Sequence, residues 1–272
     1  MLPNFFIYRL GFLLPPGKIA AQTATKEEFI VSNKDNLFAS PLKQVSDFQF
    51  DDAVADVFPD MISRSIPGYQ TIIETIGQLA ASHVKANTNV YDLGCSLGAA
   101  SFSVSRHCPE DHCNIIAVDS SAAMVERCQR KVEAFQLPNP ITVKQGFAQS
   151  EDITNASMAV MNFTLQFIPP PERTAIIKQI YDGLLPGGIF VISEKIRHDD
   201  DRGNDVINDL HLQFKRQNGY SELEISQKRA ALENVMLIDT FDIHQARLKE
   251  AGFADVVMWY RCFNFMSLVA IK

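Results

Sequence analysis

The residues from Asn89 to Ala100, reading Asn-Val-Tyr-Asp-Leu-Gly-Cys-Ser-Leu-Gly-Ala-Ala, are the best placed in the chain to do chemistry. An apolar run ends in a turn of small residues that opens directly into a helical pattern. Gly94 and Gly98 let backbone N–H groups approach a ligand, and the unpaired donors at the helix start stand beside it. Ser96 occupies the middle glycine position of a G-x-G-x-G turn. Alone, the turn is equally compatible with an ordinary strand-to-helix connection. Asp119 adds a second group: it ends the apolar run that begins at Cys113 and lies 21 residues beyond Gly98. There a carboxylate suits the two hydroxyls of a ribose, which a neutral side chain accepts only in part. The pair implies an adenosine-type ligand.

The elements that must position these groups alternate between strand and helix. Asn89–Leu93 and Cys113–Asp119 are the first two strands, Ile141–Val143 the third, Ser157–Phe163 the fourth and Ile189–Ser193 the fifth, entered through the turn Leu184-Leu185-Pro186-Gly187-Gly188. Helices are expected after Tyr69 (Ile72, Ile76 and Leu79 on one face), after a Ser120 or Ser121 cap, and around Ile176, Ile177, Ile180 and Leu184. In the capped helix, Val125, Cys128, Val132 and Phe135 form an apolar stripe read as core. Val206, Leu210 and Phe214 mark a further amphipathic helix. Val256–Phe263 and Phe265–Ile271 are too close for a helix between them, so they pair antiparallel.

The 272 residues suffice for one sizeable α/β domain with additions. The formal charge of −7 argues against a surface that grips nucleic acid through its phosphates. Five cysteines in no framework spacing fit a reducing cytosol, and no apolar run is long enough for a membrane span. Residues 1–30 are expected to be a loosely ordered extension, since Arg9 interrupts the apolar start that a secretory signal needs. Residues 31–272 form the domain, including an N-terminal arm rich in Phe and Asp and a helical insertion over 197–235.

Other groups carry two readings. Tyr69, just past the Pro67-Gly68 break, either hydrogen-bonds the amino acid end of the ligand or covers a core edge. Asn162, a polar amide near the end of an apolar strand, needs a partner, either ligand or loop. His107, Cys108, His112 and Cys113 have poor spacing for a metal, and none is expected. Lys215-Arg216, Lys228-Arg229 and Arg247 read mostly as a solvated face. There is no recognisable nucleophile and base pair.

With Asp92 ending the first strand, the turn resembles the D-x-G-x-G-x-G motif of class I S-adenosylmethionine-dependent enzymes, which puts Asp92 near the cofactor's amino acid end. Over residues 34–272 the chain resembles the carboxy-S-adenosylmethionine synthase family. The specific segments are Val57–Ile62, Tyr91–Ala100, Asn162–Phe167, Asn218–Arg229 and Cys262–Phe265. The resemblance implies a class I, Rossmann-like α/β fold. Its sheet is seven-stranded and mostly parallel, with an antiparallel C-terminal hairpin, helices on both faces and a helical N-terminal arm. It implies a cytoplasmic homodimeric enzyme that converts S-adenosylmethionine and prephenate to carboxy-S-adenosylmethionine and phenylpyruvate for wobble-uridine modification of tRNA, without stable binding of nucleic acid or membrane. Carried over by motif, cofactor contacts fall on Tyr69, Gly94, Cys95, Ser96, Asp119, Ser120 and Asn162, and Arg229 binds the added carboxylate. One departure is Gly146-Phe147-Ala148, where the family has a Gly-Asp pair. The acceptor for the adenine amino group is missing, which leaves the base to the backbone of Phe147 and Ala148 and to the Phe147 ring. Read from the residues alone, a methyltransferase acting on tRNA or a small molecule, and a non-catalytic adenosyl-ligand sensor, remain open.

Overall fold

The computed structural model describes residues 33–272, so the expectation for residues 1–30 lies outside the described residues. Seven strands form one sheet in the order β3-β2-β1-β4-β5-β7-β6. They are β1 (Thr88–Leu93), β2 (Cys113–Asp119), β3 (Ile141–Gln145), β4 (Ala156–Asn162), β5 (Leu184–Lys195), β6 (Asp255–Cys262) and β7 (Phe265–Ile271). The first five run parallel, and β7 pairs antiparallel with both β5 and β6. β4 is buried along nearly its whole length, as its unbroken run of small and apolar residues requires when both faces are covered. The chain leaves β1 for β2 on one side, while β4 takes the other side of β1. This reversal opens a crevice at the carboxyl ends of the strands.

The helices are α1 (Asp52–Ser65), α2 (Tyr69–His83), α3 (Ala99–His107), α4 (Ala122–Ala134), α5 (Arg173–Gly183), α6 (Asp201–Gln217), α7 (Glu222–Leu232) and α8 (Phe241–Ala251). Ser121 caps α4 by accepting the Met124 N–H, and Ser221 closes a capping box with Glu224 on α7. Ile72 and Ile76 of α2 are fully buried in the cluster that contains Val90, Ile115 and Val160. On the other face of the sheet, Ile176, Ile177 and Ile180 of α5 pack with Leu93, Met161 and Phe190. Among the described residues no helix is long and apolar enough to cross a membrane.

Four sequence expectations are corrected. In α4 the buried residues are Met124 and Cys128, whereas Phe135 lies past the helix end, is exposed, and meets Phe102 edge to face. The stripe on α6 faces outward: Val206 and Leu210 are exposed, while His211 and Lys215 are buried. The Leu184–Gly188 turn lies within β5. Leu184 pairs with Ala156 and Ile189 with Met158, and the register shift between these pairs accommodates it. Lys215 and Lys228 are buried, contrary to a solvated face, and Arg247 holds Asp239 at 2.9 Å.

The arm ahead of α1 crosses the carboxyl ends of the strands and is fastened to α7. Phe48 donates its backbone N–H to the Ala231 carbonyl, and Leu42 to Gln227 Oε1. Phe50 stacks edge to face on Phe48 and Phe167, and Phe48, Val54, Val57 and Met61 share a core with Leu97, Met124 and Ala231. Arm, α1 and α7 thus roof the crevice.

Candidate active site

Beneath that roof is a cavity of about 670 Å³, within the range of small-molecule sites. β1 delivers the glycine turn to its floor. Gly94 and Gly98 have φ of +81° and +82°, and Ser96 adopts +49°, a left-handed conformation that an ordinary side chain takes only at a cost. The turn is held by hydrogen bonds from the Gly94 and Cys95 N–H groups to the Val118 carbonyl, at 2.7 and 3.0 Å. Asp92 is buried and accepts the Ser101 hydroxyl at 2.6 Å and its N–H at 3.1 Å, which ties β1 to α3. Burial, only partly offset by Ser101, raises its carboxyl to about 6.

Asp119 ends β2 beside this turn. One of its oxygens accepts the Ser96 N–H at 2.8 Å and the other the Ser121 N–H at 2.9 Å. Burial still holds its carboxyl above the usual range. Each oxygen keeps a lone-pair direction for a further donor. Gly146, Phe147 and Ala148 line the cavity past β3, and the Phe147 ring is 65% exposed, free to cover an aromatic base at the rim.

On the other side of β1, Asn162 ends β4 with its Oδ1 buried and without a hydrogen-bond partner among the described residues. The loop contact left open by the sequence is not made by that atom. The next residue, Phe163, has φ of +63° and packs between Tyr69 and Phe265. Glu194 fixes this corner by accepting the Leu165 and Gln166 N–H groups at 2.8 and 3.0 Å. Fully buried, its carboxyl rises to about 8. Tyr69 packs its ring on the core, which is one of its two sequence readings, and its residue also lines the cavity, where burial and then Asp92 raise its phenol.

Tyr69, Gly94, Cys95, Ser96, Asp119 and Ser120 all line this one cavity, as do Phe147, Ala148 and Asn162. Cys95 is buried, its thiol raised by hydrogen bonding with Cys128 and by burial, which makes it inert packing beneath the turn. Arg229 does not line the cavity. It is exposed on α7, because the helix that turns Lys228 inward points its neighbour away, although its charge still depresses the Lys195 ammonium. Lys195, His211, Lys215 and Lys228 line the cavity and were missed as site residues. The available signals were the i, i+4 spacing of His211 and Lys215 on one helix face, and the place of Lys195 at the carboxyl end of a core strand.

The lining fits an adenosyl ligand with an amino acid tail. Asp119 would offer two oxygens to a diol, Phe147 and Ala148 would flank a base, and Asn162 Oδ1, without a donor among the described residues, would accept from the ligand. His107 and His112 are committed elsewhere, to Glu74 and to the Val84 carbonyl.

Residues 90–188 match a family model described as a methyltransferase domain. The fold is shared with the magnesium protoporphyrin IX methyltransferase of Synechocystis solved with bound SAH. The TM-score is 0.54 at 16% identity, covering 78% of this chain and 87% of that one. Two relatives are far more similar. The carboxy-S-adenosyl-L-methionine synthase of Alteromonas mediterranea is 65% identical over 238 residues, 88% of this chain and 98% of that protein. The enzyme of the same name from Pseudoalteromonas atlantica is 58% identical over 241 residues, 89% and 99% of the two chains. Nearly the whole of each relative is thereby matched, and the chain belongs to the carboxy-S-adenosyl-L-methionine synthase family.

Proposed function

We propose that the protein converts S-adenosylmethionine and prephenate to carboxy-S-adenosylmethionine, phenylpyruvate and water, and so supplies the carboxymethyl donor for wobble-uridine modification of tRNA. The observation that carries this reading is the 65% identity to a carboxy-S-adenosyl-L-methionine synthase across 98% of that relative. S-adenosylmethionine brings a sulfonium whose methyl C–H is acidic. Prephenate, as it aromatises, releases carbon dioxide to form the new C–C bond and hydroxide to take the methyl proton.

The chain's own work is to hold, orient and enclose. Asp119 binds the ribose hydroxyls, Phe147 and the Ala148 backbone flank the base, and Tyr69, Asn162 and the Gly94 turn hold the amino acid end. The Phe50 and Phe167 rings of the roof limit access of bulk water to the reacting groups. This mechanism takes its base from prephenate itself and needs none from the protein. Arg229 is proposed to meet the added carboxylate, supported by the action of its charge on Lys195, which lines the cavity. A cytoplasmic homodimer completes the reading. Five unpaired cysteines suit a reducing compartment, and the outward-facing Val206 and Leu210 suit a protein contact.

Incubation with S-adenosylmethionine, with and without prephenate, followed by mass spectrometry of the nucleosides tests the reading. A carboxylated nucleoside that appears only with prephenate is the expected result. A methylated acceptor, or an unchanged ligand, would replace it with a methyltransferase or a sensor.

A further inference from the structure

Three lysines from three different elements converge on the cavity: Lys195 at the end of β5, Lys215 on α6 and Lys228 on α7. Lys215 and Lys228 are buried, at 8% and 5% exposure, and Lys195 is half-buried. Buried ammonium groups are normally paired with an acid. Among the described residues only Lys228 has one, with Asp35 Oδ2 at 3.5 Å, and that oxygen also accepts the Tyr220 hydroxyl. The neighbouring Arg64 is committed to Asp60 and to the Asp35 and Asn218 carbonyls. Among the described residues, the ammonium groups of Lys195 and Lys215 meet no hydrogen-bond acceptor, although both residues line the cavity. Burial is the main cause that lowers them to about 8, and Lys228 to about 7.

This positive charge is separate from the adenosyl site. The diol acceptor Asp119 ends β2 and Lys195 ends β5, and β1 and β4 lie between. Three strand spacings separate them, roughly 14 Å across the sheet. The intervening strands carry the Gly94 turn and Asn162, where the amino acid end of the ligand is read. The lysines therefore stand past that ligand, at the far end of the same cavity. The walls beside them are apolar and aromatic: Ile62, Phe58 and Phe265 line the cavity, and His211 sits edge to face on Phe265 at 4.9 Å. His211 adds no charge, because burial and the neighbouring lysines depress it to about 3. Two ammonium groups without a hydrogen-bonded acid, Lys215 being offset only by the more distant Asp35 charge and the Tyr220 ring at 5.7 Å, stand beside an aromatic wall and suit a carboxylate borne on a six-membered carbon ring.

We infer that Lys195 and Lys215, backed by Lys228, form the subsite that binds a carboxylate of the second substrate, a cyclic dicarboxylate. The inference rests on the proposed use of prephenate and assigns its binding to residues to which the resemblance gives no role. A cationic subsite beyond the sulfonium also keeps a dianion from pairing with the sulfonium in an unproductive orientation.

The test is calorimetric titration of prephenate into protein saturated with S-adenosylhomocysteine, which has no methyl group to react. Lys195→Met, Lys215→Met and the charge-retaining Lys215→Arg are compared with the wild type. Each Met variant should bind prephenate about ten- to a hundredfold more weakly, with S-adenosylhomocysteine affinity retained as the check on folding. Lys215→Arg should keep most of the binding. Unchanged prephenate affinity in both Met variants, with wild-type turnover intact, would overturn the subsite and leave the function standing. Loss of S-adenosylhomocysteine affinity in parallel with prephenate would assign the lysines to the adenosyl ligand and overturn the inference. A wild type that neither binds nor consumes prephenate would refute the proposed function, and the subsite with it.

Discussion

The Asp119 carboxylate accepts the Ser96 backbone N–H at 2.8 Å, so the acid proposed to bind the ribose also braces the strained centre of the glycine turn on β1. The carboxylate shapes one wall of the cavity before any ligand arrives. In Asp119→Ala both the diol hydrogen bonds and this brace are lost. S-adenosylmethionine affinity should fall by at least about tenfold, since charged hydrogen bonds contribute roughly 1.5–3 kcal/mol. Calorimetry checks this, and unchanged affinity would mean that the ribose lies elsewhere.

Asn162→Ala separates ligand binding from folding. Its Oδ1 is buried without a partner among the described residues, so removing the amide relieves a desolvation penalty and should not lower the melting temperature of the free protein. With ligand bound, the same change removes an acceptor and should reduce the stabilisation given by S-adenosylmethionine. Thermal melting with and without ligand reads both. A large destabilisation of the free protein alone would make Asn162 a purely structural residue.

Arg229→Leu tests the proposed contact to the added carboxylate. The side chain is exposed, so solvent screening limits its contribution below that of a desolvated pair. Carboxy-S-adenosylmethionine affinity should still fall by about tenfold if a bidentate pair forms. S-adenosylmethionine lacks the extra anion, and its affinity should change little. Equal weakening of both ligands would remove Arg229 from the site.

The lysine subsite gives kcat/KM for prephenate a pH dependence of definite sign. Burial lowers Lys195 and Lys215 to about 8 and Lys228 to about 7, from an ordinary ammonium value of 10.5. Asp35 opposes the shift at Lys215 and Lys228, whereas Arg229 at Lys195 and Arg64 at Lys228 add to it. Only the protonated form attracts a carboxylate. kcat/KM should therefore fall as pH rises through 7 to 8, in a range where His211 is already neutral and Tyr69 still protonated. A flat profile over that range, or one that climbs, would argue against cationic lysines in the subsite.

The parts of the site legible in the sequence are those whose chemistry is local. Gly94, Gly98 and Asp119 carry their meaning in a turn and a strand end, and the alternation of elements placed both at the carboxyl edge of a parallel sheet. Asn162 was legible as a polar group that an apolar strand had to explain. The lysines were not, because their charges look solvated in any local window. Only packing of α6 and α7 under the arm buries Lys215 and Lys228. The same packing turns Val206 and Leu210 outward, against the usual reading of an apolar stripe. Arg229 shows the converse: a motif names the residue, but the helix phase decides whether it faces the cavity.

The measurement that bears most directly on the central claim follows one carbon atom. Prephenate labelled with ¹³C in its ring carboxylate is incubated with the protein and unlabelled S-adenosylmethionine, and the nucleoside products are resolved by mass spectrometry. The label should appear in carboxy-S-adenosylmethionine, one labelled carbon per molecule, with phenylpyruvate formed in equal amount and unlabelled. A carboxylated nucleoside without the label, or phenylpyruvate formed with no carboxylated nucleoside, would contradict the account.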